Sequence, residues 1–178
     1  NQKYRSLSAS QGNPNIFENQ GQTFIDAARN NNIDVSYLVA HAMWETGYGR
    51  SALAQGIELS EFRGTVLENP VMVYNFYGIG AIDGSAISSG AEASYANGFT
   101  TIENTITGSA KWIASNYIHS SKYKQDSVYK MKWNYDYTWH QYATDVNWAN
   151  GIAKIMTRLN TYYDNPYILG YEFLNYKK

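Results

Sequence analysis

The chain has 178 residues, of which 44% are hydrophobic and 16% charged, with 14 Lys and Arg against 15 Asp and Glu. That length suits one domain with a substantial core, and a formal net charge of −1 excludes a nucleic-acid binder that works by neutralising phosphates. With no cysteine there is neither a disulfide framework nor a thiolate metal site, and no apolar run approaches the roughly 18 residues of a membrane span.

Residues 1–16 are polar and read as a lead-in, and the abrupt start at Asn1 reads as a domain excised from a longer precursor. A helix is predicted from Phe17 to about Asn31, with Phe24, Ile25 and Ala28 inward. Asp34 is an N-cap for the next helix, whose Val35, Leu38, Val39 and Ala42 follow the i, i+3, i+4, i+7 rule. Glu45 falls seven positions after Leu38 and so returns to within roughly 20° of its direction. Gly47 and Gly49 then stop the helix, and a short helical piece spans about Ser51 to Gln55.

The character changes at "ENPVMVYNFYGIGA", which mixes β-branched and aromatic residues with glycines. Turn signals at Asp83-Gly84 and Asn97-Gly98 predict a small β-lobe or hairpin from about Val71 to Phe99. Helices resume with a capping box at Thr100 and Glu103, and Ile102, Ile106, Ile113 and Tyr117 share a face. A last helix from about Asp145 to Tyr162 carries Trp148, Ile152, Ile155 and Leu159. There is no internal repeat, so residues 1–178 are expected to form a single domain; a monomer is the expected state.

A carboxylate on an apolar stripe is either satisfied there or used there. Glu45 sits beside Trp44 at a helix C-terminus, where desolvation and unpaired carbonyls both disfavour the charged form. A proton-bearing carboxyl is what glycosidic cleavage requires, because the alkoxide leaves poorly without one. The competing reading is a buried Glu held by His41, one turn earlier, or by a backbone amide. Five Trp and seventeen Tyr among few charges suit a surface that stacks on neutral sugars, although many of them must be core. Within "YNFYGIGA", Asn75 offers an amide and Phe76 a flat face, while Trp133 in "MKWN" offers a second platform; packing roles compete for all three.

Four blocks in order, "WETGYGRSALAQG", "YNFYGIGA", "SVYKMKWN" and "HQYATDVNWA", resemble the catalytic domain of bacterial autolysins of glycoside hydrolase family 73. These are endo-β-N-acetylglucosaminidases that cut peptidoglycan. The resemblance runs from about residue 20 to about residue 160. It implies an α+β, mainly α fold: a lysozyme-like helical lobe, a small β-hairpin lobe and a cleft between them. It matches Glu45 to the family's catalytic glutamate and Tyr142, in "YATD", to an aromatic facing the cleft. Some relatives carry a second acid in a pattern like E-Y-x-x-G, but "SYANG" places Ser94 there. Asp83 is the favoured substitute and Glu92 the next, or the substrate's own acetamido group supplies the nucleophile.

The reading is therefore a peptidoglycan hydrolase cleaving the β-1,4 bond between N-acetylglucosamine and N-acetylmuramic acid, with no cofactor or metal implied. Catalytic roles go to Glu45, Asp83 and Tyr142, and substrate contacts to Asn75, Phe76 and Trp133. Such a substrate places the protein outside the cytoplasmic membrane, in a bacterial cell wall. The rivals are a muramidase or lytic transglycosylase cutting the other glycan bond, and a wall-binding module without turnover.

Overall fold

A computed structural model describes residues 16–162 and the backbone of residues 4–6. Helix α1 (Gly21–Asn30) begins later than expected, because Ile16–Asn19 form a turn in which Asn19 takes φ +62°. Its buried face is Phe24, Ala27 and Ala28; Ile25, expected inward, lies one 100° step off that face and is 39% exposed. Helix α2 (Val35–Glu45) starts as predicted, Asp34 Oδ1 accepting from the Tyr37 N–H at 2.9 Å. Leu38 and Ala42 are fully buried, and Val35 and Val39 pack half-buried against the same core.

After α2 come a short α3 (Ala52–Gln55), capped by Ser51, and a three-stranded antiparallel sheet in the order β1-β2-β3. The sheet corrects the predicted position of the β-lobe. Its strands are β1 (Tyr4–Ser6), inside the stretch read as a lead-in, β2 (Ile57–Phe62) and β3 (Thr65–Val73). The turn joining β2 to β3 is Arg63-Gly64, with φ of +49° and +82°, the double left-handed geometry that matches strand twist. Arginine is an unusual first residue for it, so no Asn-Gly or Asp-Gly signal marked the place. Pro70, which has no N–H, is tolerated because β3 is an edge strand with a register irregularity between Leu59 and Glu61 of β2.

The stretch read as the second half of the hairpin is instead α4 (Ala86–Ala96). The turn signals Asp83-Gly84 and Asn97-Gly98 flank this helix, and its small residues serve close packing: a Cβ on Gly90 would lie 2.9 Å from Leu53 Cδ1, and one on Gly80 would lie 2.4 Å from Ala93 Cβ. Helix α5 (Ile102–Ile113) is capped one residue later than predicted, Thr101 Oγ1 accepting from the Asn104 N–H. It runs on into a π-helical turn over Ala114–Ile118, keeping Ile106, Ile113 and Tyr117 buried. A short α6 (Val128–Lys132) and a long α7 (Trp148–Asn160) complete the described chain.

Two apolar clusters result. The larger joins α1, α2, α5, α6 and α7 around Leu38, Ile106, Ile113, Met131, Trp148 and Ile152. The smaller, Ile57, Leu59, Val73 and Ala91, seats the sheet on α4. A mainly helical body with a small sheet lobe is what the resemblance implies. No helix among the described residues is long and apolar enough to cross a membrane.

Candidate active site

Helix α2 ends abruptly, and its end is built from side chains as well as glycines. Thr46 Oγ1 donates to Ala42 O at 2.6 Å and accepts from the Gly49 N–H at 2.7 Å, while Gln55 Nε2 donates to Gly49 O. Gly47, Tyr48 and Gly49 follow with φ of +55°, +62° and +80°. A Cβ on Gly49 would meet Ile16 Cγ2 at 2.7 Å, so glycine is required there by space as well as by conformation. The last helical residue, held by this knot, is Glu45.

Glu45 opens onto a cleft of about 380 Å³. One wall is the segment after β3, contributing Tyr77, Gly78, Ala81 and Asp83; the other is Tyr142 to Asp145 with Trp148. Glu45 Oε1 accepts from the indole Nε1–H of Trp148 at 2.6 Å. Its other oxygen lies against Gly78, where an added Cβ would sit 3.2 Å from Oε2. The carboxyl is thus anchored by one oxygen and keeps the second beside a position without a side chain.

Behind Glu45 the site is aromatic. His41 is fully buried, its ring meeting those of Tyr77, Tyr142 and Trp148 edge-on at 5.1, 4.5 and 5.1 Å. Its Nδ1 is 2.9 Å from the Tyr37 hydroxyl, and its Nε2 has no hydrogen-bond partner. At 3.6 Å from Glu45 Oε1, Nε2 is beyond hydrogen-bond reach. Burial holds the imidazole below its ordinary pKa, and the nearby carboxylate only partly opposes that.

Tyr142 lines the cleft as expected, stacked on Trp148 at 5.1 Å and 22°. Its hydroxyl donates to Tyr77 O at 2.7 Å, and burial, reinforced by the charge of Glu45, pushes that phenol well above its ordinary range. Asp83 also lines the cleft, exposed at its rim. Glu92, argued from a strand alternation, lies on α4 and is not among the residues lining the cleft. Ser94 is buried, its hydroxyl donating to Gly90 O.

Asn75 and Phe76 do not face the cleft, which corrects their expected sugar contacts. Asn75 is 2% exposed: its Nδ2 donates to the carbonyls of Ile79 and Gly90, and its Oδ1 accepts from the Tyr77 and Ile79 N–H groups. It shapes the loop that carries Gly78. Phe76 is wholly buried against Phe17. Trp133 is exposed but borders other cavities.

Three contributors escaped the sequence reading. Trp148 was placed only as a helix-face residue, yet it holds Glu45. Asp145 lines the cleft while its Oδ1 accepts from the Asn147 N–H at the start of α7, a role its place three residues before Trp148 signals. Lys132, 4% exposed, donates to Gln141 Oε1, Ala143 O and Thr144 O, and so pins the second wall from behind. Among the described residues no cluster of three His, Asp or Glu side chains is placed to hold a metal.

This geometry has counterparts. A family model described as "Glucosaminidase: Mannosyl-glycoprotein endo-beta-N-acetylglucosaminidase" matches residues 21–161. The chain belongs to the glucosaminidase family. It is 41% identical over 162 residues to the β-N-acetylglucosaminidase of Bacillus subtilis, covering 91% of the chain and 17% of that protein. Over 150 residues it is 39% identical to a bifunctional autolysin of Staphylococcus epidermidis, covering 84% of the chain and 11% of that protein. The chain thus spans less than a fifth of either relative. Among solved structures it resembles autolysin E of S. aureus, as a catalytic glutamate-to-alanine mutant in complex with the disaccharide NAG-NAM, with TM-score 0.69 and 35% identity over 87% of this chain and 67% of that one. The complex of autolysin E with the muropeptide NAM-L-Ala-D-iGlu gives TM-score 0.68 at the same identity, covering 87% of this chain and 67% of that one.

Proposed function

We propose that this glucosaminidase-family domain cleaves peptidoglycan strands at the β-1,4 bond between N-acetylglucosamine and N-acetylmuramic acid, as a monomer in the bacterial cell wall. The observation that carries the reading is Glu45, anchored through Oε1 by Trp148 with Oε2 beside Gly78 in the cleft. The disaccharide and muropeptide held by the S. aureus relative favour wall glycan over a mannosyl-glycoprotein as the substrate class. That relative's catalytic mutant lacks a glutamate, which supports the assignment of Glu45.

In this reading the Glu45 carboxyl protonates the departing glycosidic oxygen. Trp148 restrains the carboxyl, and its indole N–H steadies the negative charge that develops on Oε1 as the proton leaves. Tyr142 supplies a rigid wall, its hydroxyl proton engaged by Tyr77 O. Positive charge building on the sugar ring is met by Asp83, the carboxylate on the wall formed after β3, which activates water. The test is a digest of purified peptidoglycan, with new reducing ends converted by borohydride and identified by mass spectrometry, run beside Glu45→Gln. New N-acetylglucosaminitol ends, absent with the variant, are expected. Muramitol or anhydro-muramic ends would reassign the bond, and no new ends with binding retained would make this a wall-binding module.

A further inference from the structure

Several large aromatic rings stand in water away from the cleft, among them Trp133, Tyr135 and Trp139. Trp139, 67% exposed, is one of three rings around the Lys122 ammonium, with Tyr123 and Tyr137, at 5.9, 5.0 and 5.4 Å. Trp133, 37% exposed, and Tyr135, 72% exposed, have no such cover. Two cavities, of about 300 and 230 Å³, both border Trp133, Asn134 and Tyr135, so these three residues form the ridge between them.

We propose that this ridge is a second saccharide-binding site, outside the catalytic cleft, that takes pyranose rings of the same strand that occupies the cleft. The inference rests on the glycan reading above and extends it beyond the cleaved bond. A pyranose presents an apolar C–H face and a belt of hydroxyls, and each cavity offers both complements. The Trp133 ring lies 4.8 Å from that of Tyr129, tilted by 41°, while the Tyr129 and Tyr135 hydroxyls approach to 3.5 Å. Planar polar side chains stand at the edges, Asp136 bordering one cavity and Gln141 the other. Charge at the larger cavity is mixed: Lys124, Lys130 and Asp136 border it, with Lys130 paired to Asp126 at 2.8 Å.

The backbone of the ridge and the segment beside it are held by local contacts. Asn134 Oδ1 accepts from the Tyr137 N–H at 3.0 Å, and Tyr123 stacks on His140 at 3.6 Å and 12°. His140 in turn is 2.7 Å from Oε1 of the buried Gln125. A backbone already held in place lowers the ordering cost of binding. The ridge is also tied to the cleft, because Lys132, next to Trp133, holds the carbonyls of Ala143 and Thr144 in the cleft wall.

The test uses the full chain carrying Glu45→Gln, with 15N-labelled tryptophan, titrated with soluble peptide-free glycan strands. The Trp133 and Trp148 indole resonances are expected to move together. Trp133→Ala in that background is expected to bind long strands roughly tenfold more weakly, equivalent to about 1.4 kcal/mol. Tyr135→Ala, at an exposed position that folding does not need, is expected to weaken them in the same direction. If Trp148 moves while Trp133 stays still, and both variants bind like the parent, the second site is overturned and the cleft reading stands. If neither resonance moves, the glycan reading fails and the ridge proposal falls with it.

Discussion

The indole N–H of Trp148 reaches Glu45 Oε1 at 2.6 Å, joining the first residue of α7 to the last residue of α2 across 103 positions of sequence. A hydrogen bond to a charged group is worth about 1.5–3 kcal/mol, and this one strengthens as Glu45 gives up its proton. Trp148→Phe keeps the ring against His41 and removes only the donor. It should lower kcat roughly 10- to 150-fold, with KM nearly unchanged. An unaltered kcat in steady-state assays on solubilised peptidoglycan would remove Trp148 from the mechanism.

Glu45→Gln preserves shape and withdraws the proton. Turnover should fall by roughly 10²- to 10⁴-fold, while sedimentation with insoluble wall shows binding intact. Loss of binding together with turnover would mean that the substitution disturbed the cleft rather than the chemistry.

The two rim carboxylates separate the remaining possibilities. Asp83→Asn should reduce kcat by about tenfold or more, whereas Asp145→Ala, which removes the acceptor of the Asn147 N–H, should act mainly on stability through the start of α7. If Asp83→Asn runs at the parent rate, the substrate's acetamido oxygen takes over the assigned role. Comparing kcat and thermal midpoints for the pair decides it.

Two glycines test the packing around Glu45. Gly151 faces the Trp44 ring so closely that a Cβ would fall 2.2 Å from it, so Gly151→Ala has to push α7 away from α2. Overpacking of this kind costs about 1–3 kcal/mol and should appear as a lower melting temperature. Gly78→Ala, at φ +66° and 3.2 Å from Oε2, should cost about 1–2 kcal/mol in backbone strain and depress kcat as well. A fully active, equally stable Gly78→Ala protein would contradict the site geometry.

Stability should depend on pH through His41. Its folded pKa lies below the ordinary 6.5 because of burial, and burial lowers His140 too. Below pH 6.5 the unfolded chain therefore binds more protons than the native one, so stability is full above that value and lost as pH falls through it toward the folded values. Each such histidine contributes a slope of at most about 1.4 kcal/mol per pH unit. Urea midpoints at pH 7.5 and 5.5 should differ more for the parent than for His41→Gln; equal differences would exclude His41 as the source. Glu103, whose carboxyl is lowered by backbone and Gln20 hydrogen bonds, acts only in more acidic solution.

Much of this was legible locally. The cap at Asp34, the seven-residue return from Leu38 to Glu45, the glycines that end α2 and the helix carrying Trp148 all depend on neighbours within a turn or two, so sequence spacing alone determined them. The hairpin was misplaced because Arg63-Gly64 takes a left-handed pair of conformations without the usual turn residues, and because the Gly- and Ala-rich run of α4 is small for the sake of packing, not of turning. Asn75 and Phe76 looked like ligand groups since nothing adjacent shows that other segments enclose them. The working site was decided by tertiary structure alone. Its contacts join α2, the segment after β3, the "YATD" stretch and α7, and only the packing of the helices over one core brings the Trp148 N–H, the Glu45 carboxyl and the bare Gly78 backbone to a single point.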